Sequence, residues 1–292
     1  MQVVGYRPRR PVSAAVDAES SGTASSATDE TTDTTPLNDA VLLLSDPEAT
    51  VGDDRTVTSL TLEPGTVLEY ALGTRHCAGS LEGDVHHPCD RPEAPYCEYH
   101  TNTWVCARCT GTCLKDEMDC YEEHAVYLAA FAPATFKVGV TRSWRLETRL
   151  REQGADRGAH VHTVSNGRIA RELEAQIAHE QGLVDRVRTD AKIETLGSAV
   201  DGDAWDALLA RDAFDVIDRF DFVYGLDLDH RPVQETIAAG TVVGTKGRLL
   251  VLERGGTTYV VDMRDLVGYE LEAADTEGRR LQSSLGSFAT RG

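Results

Sequence analysis

Residues 125–156 read AVYLAAFAPATFKVGVTRSWRLETRLREQGAD. Two short apolar runs, Ala125 to Ala130 and Phe136 to Val140, flank a turn at Phe131 to Thr135 that contains Pro133. Both runs favour strands and the break between them is short, so the pair reads as a β-hairpin. Ser143 to Gln153 then places Leu146 and Leu150 four apart, with Gly154 behind them. That is helix chemistry: an apolar stripe, then a residue suited to the left-handed position that ends a helix. His160 to Val164 reads as a third strand. Asn166 can cap a second helix running to about Gln181, with Gly182 after it and Ile169, Leu173 and Ile177 as its apolar face. The unit is hairpin, helix, strand, helix, and the fold class is α+β with a small mixed or antiparallel sheet and flanking helices.

Working outward, Asp203 to Arg211 is a further helix around Trp205, Leu208 and Leu209, so the core with its helical extension spans 125–235. From Thr241 the chain turns to strands, with Arg254-Gly255-Gly256-Thr257 as a hairpin turn. Residues 236–275 form a small antiparallel β unit, barrel-like, and 276–292 a flexible tail. At the other end, Gln2 to Tyr6 (QVVGY) is a strand within residues 1–11 that can complete this unit. Residues 12–36 are rich in Ser, Thr, Ala, Asp and Glu, bury too little surface to order themselves, and read as a disordered insertion. Strands at Ala40 to Leu44, Val57 to Leu62 and Thr66 to Tyr70 make 37–75 a β region. Thr245-Lys246-Gly247 reads as a hairpin turn, and Asp227, Asp229 and His230 as an exposed acidic loop.

All seven cysteines lie between Cys77 and Cys120, interleaved with histidines, within a segment spanning 76–124. A disulfide scaffold would spread its cysteines along a small secreted chain; one dense window is the pattern of metal binding. Cys77, Cys89, Cys97 and His100 form one candidate set, closed by C-x2-H. His76, His86 and His87 compete as imidazoles but read as loop residues. Cys106, Cys109, Cys113, Cys120 and His124 form a second set, with a C-x2-C knuckle and a C-x3-H pair, and one of its five is spare. The close spacing of Cys106, Cys109 and Cys113 would also suit an iron–sulfur cluster. Histidines at both closing positions favour zinc, and closed four-ligand sites are structural. Two structural zinc ions are expected, stabilising a loop-rich segment too poor in apolar residues to fold alone.

The 292 residues suggest one large domain or two modest ones, and 41% hydrophobic content is enough for a core. No apolar run approaches the roughly 18 residues of a membrane helix. Met1 to Arg10 lacks a signal-peptide core, so a cytoplasmic protein without membrane contact is expected. A net charge of -19 argues at first against nucleic acid, since its binders are usually basic. Yet only four of the 29 basic residues are lysine: Lys115, Lys137, Lys192 and Lys246. Scarce Lys, few aromatics and abundant carboxylates resemble the proteins of salt-loving archaea. In molar salt the Debye length is about 3 Å, and acidity there is a solvent adaptation. The charge is therefore given little weight in choosing a partner.

The stretch 125–180 resembles the GIY-YIG nuclease core, nearest the subgroup whose second motif begins with Lys. In that resemblance the first tripeptide falls on Ala125-Val126-Tyr127 and the second on Lys137-Val138-Gly139, followed by Thr141. The family arginine falls on Arg149 and the metal-binding glutamate on Glu174. Departures are Ala125 for the first glycine, Lys137 for the second tyrosine, and an arginine two residues late, which makes Arg145 a competitor. No later Asn matches. The longer stretch from the metal window to Glu174, through GTC, Cys120, His124, VYLA, KVGVTR and QGA, resembles the uncharacterised prokaryotic domain of unknown function 2797.

Phosphodiester hydrolysis needs a nucleophile or base, a cation on the phosphate and usually a carboxylate-held divalent metal. Tyr127, Arg149 or Arg145, and Glu174 with Mg2+ or Mn2+ match those needs, and Lys137 can bind phosphate or act on the tyrosine. The bland readings stand beside these: Tyr127 as a packed strand residue, Glu174 paired with Arg171, and Arg145 and Arg149 paired with Glu147 or Glu152. A zinc-containing nucleic-acid-processing nuclease is the first expectation. A non-catalytic, zinc-stabilised module that binds nucleic acid or protein is the alternative.

Overall fold

Strands dominate the computed structural model, which describes residues 1–11, 37–51, 54–101 and 121–273. The insertion expected at 12–36, the tail at 276–292, and Cys106, Cys109, Cys113 and Cys120 lie outside the described residues. In chain order the elements are β1 (Gln2–Arg7), β2 (Arg10–Pro11), β3 (Leu37–Asn38), β4 (Val41–Val51), β5 (Asp54–Thr61), β6 (Val67–Arg75), β7 (Ser80–Glu82) and β8 (Val85–His87). Next come β9 (His124–Phe131), β10 (Thr135–Arg142), α1 (Leu146–Gln153), β11 (Arg157–Val164), α2 (Gly167–Gln181), α3 (Thr189–Glu194) and α4 (Gly202–Leu209). The chain continues through β12 (Asp218–Asp221), β13 (Val233–Gln234), β14 (Ala238–Lys246), β15 (Leu249–Arg254), β16 (Thr257–Asp262), α5 (Met263–Leu266) and β17 (Tyr269–Ala273).

The hairpin of β9 and β10 sits in a four-stranded antiparallel sheet of order β10-β9-β11-β12. Every residue of β9 is buried because helices cover both faces. Val126, Leu128 and Ala130 pack with Ala170 and Ile177 of α2 and Trp205 of α4. Tyr127, Ala129 and Phe131 pack with Leu146 and Leu150 of α1. Each fully buried side chain of this size contributes about 1.5–3 kcal/mol relative to exposure. Tyr127 is the only side chain between Ala125 and Phe131 with a polar end.

Local chemistry sets the helix ends. The Asn166 side chain accepts from the Ile169 N–H at 3.0 Å and starts α2. Gly182, in the left-handed region, ends it. The buried face of α2 is Ala170, Glu174 and Ile177, with Leu173 partly covered, whereas Ile169 is 42% exposed. Ile177 is thus buried as expected, and the rest of the face shifts from Ile169 and Leu173 toward Ala170 and Glu174, by less than one residue's turn of the helix. Ala170, small and fully buried, lets the helix approach the sheet, and Glu174 is carried inward with it.

The N-terminal strand, the 37–75 strands and the C-terminal hairpins form one sheet of order β13-β16-β15-β14-β6-β17-β1-β4-β5-β8-β7. Its pairs are antiparallel except β13 with β16. β15 explains its own sequence: Leu250 and Leu252 face a core with Leu42, Leu68 and Met263, while Leu249 and Val251 face Ile193 and Leu196. Burial on both sides produces the unbroken LLVL run.

The two sheets meet where the end of α1 touches the turn between β14 and β15. Gly154 and Gly247 both have positive φ, and a Cβ on Gly247 would stand 2.6 Å from the Gly154 nitrogen. Only glycine allows that approach. Lys246 Nζ closes the junction on Asp156 Oδ1 at 2.5 Å.

Candidate functional site: a metal-ligand cluster and a cation-lined cavity

Cys77, Cys89, Cys97 and His100 present ligand atoms that all lie within 4.8 Å of one another. Cys77 follows β6, Cys89 follows β8, and Cys97 and His100 share one turn closed by the His100 N–H on the Cys97 carbonyl at 3.0 Å. His100 Nδ1 stands 3.4 Å from Cys77 Sγ and 3.3 Å from Cys97 Sγ. Ligand bonds of about 2.0–2.3 Å in a tetrahedron put donor atoms about 3.5 Å apart, so the set fits one metal ion. Backbone N–H groups of Gly79 and Cys97 point at Cys77 Sγ, at 3.4 and 3.2 Å. Burial pushes the Cys77 thiol up. Burial also pushes Cys97 up, but backbone N–H groups of Tyr99 and His100 outweigh it and bring that thiol down to about 7.

The other imidazoles have structural partners. His86 is fully buried, with Nδ1 2.7 Å from Ser45 Oγ and Nε2 2.9 Å from the Ala78 carbonyl. His76 Nδ1 meets the Cys89 carbonyl at 3.0 Å. His124 is buried at the start of β9, its Nδ1 2.7 Å from the Glu122 carbonyl. Its four partners in the second ligand set lie outside the described residues.

In the small sheet, Tyr127 on β9 stands opposite Gly139 on β10. A Cβ on Gly139 would lie 2.5 Å from the phenol oxygen, so the glycine makes the space the ring fills. Gln153 Nε2 donates to Tyr127 Oη at 2.6 Å, and Lys137 Nζ donates to Gln153 Oε1 at 3.0 Å. Gln153 therefore stands between phenol and ammonium, a residue the sequence reading did not select. Burial pushes the phenol above its ordinary pKa, against the pull of Arg149 beside it. Burial pulls Lys137 down to about 8, with Glu174 opposing.

Glu174 is buried and close enough to Lys137 to hold its ammonium charged, but its Oε2 accepts from Arg171 Nη1 at 2.6 Å. Arg145 and Arg149 both pair with Glu152, at 2.9 and 3.3 Å. Arg149 also borders the cavity described next, whereas Arg145 is not among its lining residues. Tyr127, Lys137 and Arg149 are thus brought together on the α1 face of the hairpin, whereas Glu174 is carried by α2, which covers the opposite face, and Arg145 pairs with Glu152 outside the group.

The cavity, about 380 Å³, lies between α1 and the β14–β15 turn and is bordered by Tyr6 of β1 and Pro8 just beyond that strand. Its wall carries five cations, Arg149, Arg186, Lys192, Lys246 and Arg248, and one carboxylate, Glu152. With Lys137 behind Gln153, three of the four lysines of the chain converge here. Lys192 Nζ donates to the Gln153 carbonyl at 2.7 Å and stands 4.4 Å from the centre of the Phe131 ring. Arg248 pairs with Asp262 at 2.8 Å and donates to Thr189 Oγ1. Burial pulls Lys192 down to about 7, and Lys137, Arg248, Arg149 and Lys246 pull the same way. An anion in the cavity would reverse that pull. The turn Lys246-Gly247-Arg248 is a hairpin turn, as its sequence indicates, and it also delivers two of the five cations.

These two lysines link pH to stability. Both lose their protons in the folded protein at about 7 and about 8, but near 10.5 when unfolded. Between those limits the unfolded chain binds more protons, so their contribution makes stability rise with pH. Urea midpoints measured from pH 6 to pH 10 are expected to climb more for wild type than for Lys192→Met. Equal slopes in the two proteins would refute the linkage.

The features define a class: an α+β protein, mostly antiparallel, with a Cys/His cluster fit for a metal ion and a cation-lined cavity where its two sheets meet. More particularly, the chain belongs to the family described as protein of unknown function (DUF2797), whose model matches residues 87–271. That match takes in Cys89, Cys97 and His100, the small sheet, and the hairpin that carries Lys246 and Arg248. No curated protein and no solved structure matches the chain. No helix among the described residues is long and apolar enough to cross a membrane.

Proposed function

We propose that the protein is a zinc-stabilised module that recognises phosphate groups of nucleic acid, built on a divergent GIY-YIG-like core. One observation carries this reading: five cations line one cavity in a chain of net charge -19, and although Glu152, Asp156 and Asp262 pair with Arg149, Lys246 and Arg248, Arg186 and Lys192 have no carboxylate partner among the described residues. Assembling like charges is costly unless an anion neutralises them, and phosphate matches guanidinium and ammonium donors in charge and geometry. The strand order β10-β9-β11 with α1 between β10 and β11, and Arg149 beside Tyr127, supports the GIY-YIG-like core. The Cys77 cluster supports zinc through its three thiolates and one imidazole.

Recognition is favoured over hydrolysis by two facts. The Tyr127 phenol is buried and harder to ionise than usual, which disfavours a base or nucleophile. Glu174 is neutralised by Arg171, which leaves it a poor ligand for a divalent metal. A second reading, metal-dependent nuclease, is favoured by the Lys137–Gln153–Tyr127 chain with the Glu174 charge near enough to act on both its ends.

Calorimetric titration with inorganic phosphate and pyrophosphate tests the first reading. Wild type is expected to bind, and Lys192→Met and Arg248→Gln to lose roughly tenfold or more, as charge-assisted bonds of about 1.5–3 kcal/mol imply. Because the anion raises the Lys192 pKa, binding near pH 7 should take up a proton and its heat should vary with the buffer's ionisation enthalpy. Equal affinity in wild type and both variants would end the reading. Incubating labelled DNA and RNA with Mg2+ or Mn2+ tests the second reading. Cleavage lost in both Tyr127→Phe and Glu174→Ala would establish hydrolysis at this site.

A further inference from the structure

A second cavity, about 510 Å³, lies on the other side of Tyr6 and Arg248, which line both spaces. Its character differs from the first. Tyr6 and Tyr96 supply aromatic surface, Val4, Leu81 and Val267 supply apolar surface, and Arg264 joins Arg248 as a cation. No carboxylate is among its lining residues. His100 of the metal-ligand cluster is on its rim, so the turn that binds metal also sets the place of Tyr96.

We infer that the two cavities are one two-chambered site for single-stranded nucleic acid, with phosphate among the cations of the first chamber and an unstacked base against Tyr6 and Tyr96 in the second. This inference rests on the phosphate reading of the first cavity and adds the class of ligand. Aromatic side chains beside a cationic groove are the arrangement that holds single strands: bases stack on rings and the backbone is tracked by positive charge. A duplex hides its base faces in its own stack, so it can offer the first chamber a phosphate but nothing to the second. Arg248, shared by both chambers, is placed to hold the phosphate next to the stacked base. Burial pushes both phenols, Tyr6 and Tyr96, above their ordinary pKa, so the rings stay neutral beside a polyanion.

The test is fluorescence anisotropy with labelled oligothymidylate, oligouridylate and a duplex of the same length, at low and at molar potassium chloride. Inorganic phosphate is titrated in parallel. Wild type is expected to prefer either single strand to the duplex. Tyr96→Leu, which alters only the second chamber, is expected to weaken single-strand binding roughly tenfold or more, the usual effect of removing a stacking ring, and to leave phosphate affinity unchanged. Tyr96→Phe keeps the ring and should bind as wild type, which guards against a folding defect. Equal affinity for single strand and duplex, or no loss in Tyr96→Leu, would overturn the inference. Phosphate binding without oligonucleotide binding would overturn it too, while sparing the phosphate reading; failure of both ligands would remove both.

Discussion

Cys97→Ser is expected to release one metal ion per chain and to lower the melting temperature by roughly 8–16 °C. Cys97 would share an ion with Cys77, Cys89 and His100, and the turn carrying it also ties to the chain after β6 through the Ala78 N–H on the Pro95 carbonyl at 2.9 Å. A structural zinc in small peptides is worth about 10–16 kcal/mol, so losing even a third of that, ~4 kcal/mol, gives a shift of this size in a domain of this length. Serine is nearly the size of cysteine but a far weaker zinc ligand, so the change tests coordination more than packing. Metal content by mass spectrometry should fall by one from a wild-type value of about two zinc per chain, the number that two closed four-ligand sites require. Unchanged metal content and melting temperature would mean that Cys97 is not a ligand. Because Tyr96 and His100 line the second chamber, the same variant should also weaken single-strand binding more than phosphate binding.

Gly139→Val should cost about 3 kcal/mol, at the upper end for overpacking a core. The added Cβ would lie 2.5 Å from both Cζ and Oη of Tyr127, and the Tyr127 ring is buried against α1. Neither partner can give way without moving a strand or breaking the 2.6 Å bond from Gln153 to the phenol. Urea denaturation measures the loss. A double-mutant cycle identifies its cause: with Tyr127→Ala already in place, the valine should cost far less, because the space it needs has been vacated. If the valine costs the same in both backgrounds, the collision with Tyr127 is not what the glycine prevents.

Much of the small sheet was legible residue by residue. Alternation placed Tyr127 on the face opposite Val126 and Leu128, and the packing of β9 agrees. Gly154 and Gly182 mark the helix ends, and Asn166 is the cap, because these depend only on the backbone within a few residues. The second helix's face was less legible. Ile177 and, in part, Leu173 pack as the stripe predicts, but Ile169 is exposed and Ala170 and Glu174 turn inward, since a small residue allows closer approach than a large apolar one. Gln153 was missed because a glutamine at a helix end carries no signal until the tyrosine and lysine it bridges are seen on neighbouring strands. Lysine rarity was a signal that applied to Lys192 and Lys246 as much as to Lys137.

By itself the sequence determined the hairpin–helix–strand–helix order and the grouping of Cys77, Cys89, Cys97 and His100 as one candidate ligand set. Caps, alternation and ligand spacing act over a few residues, or across loops with no structure of their own to misread. Only the tertiary structure decided that Tyr6, Arg149, Lys192, Lys246 and Arg248 share one cavity, and that strands from both ends of the chain build its far wall. Those residues come from four separate segments, and no periodicity relates them. Their meeting depends on which sheet edges pair and on two glycines that let α1 touch a turn more than ninety residues away. That choice is made by the burial of whole faces, a sum over the entire core that no short stretch of sequence contains.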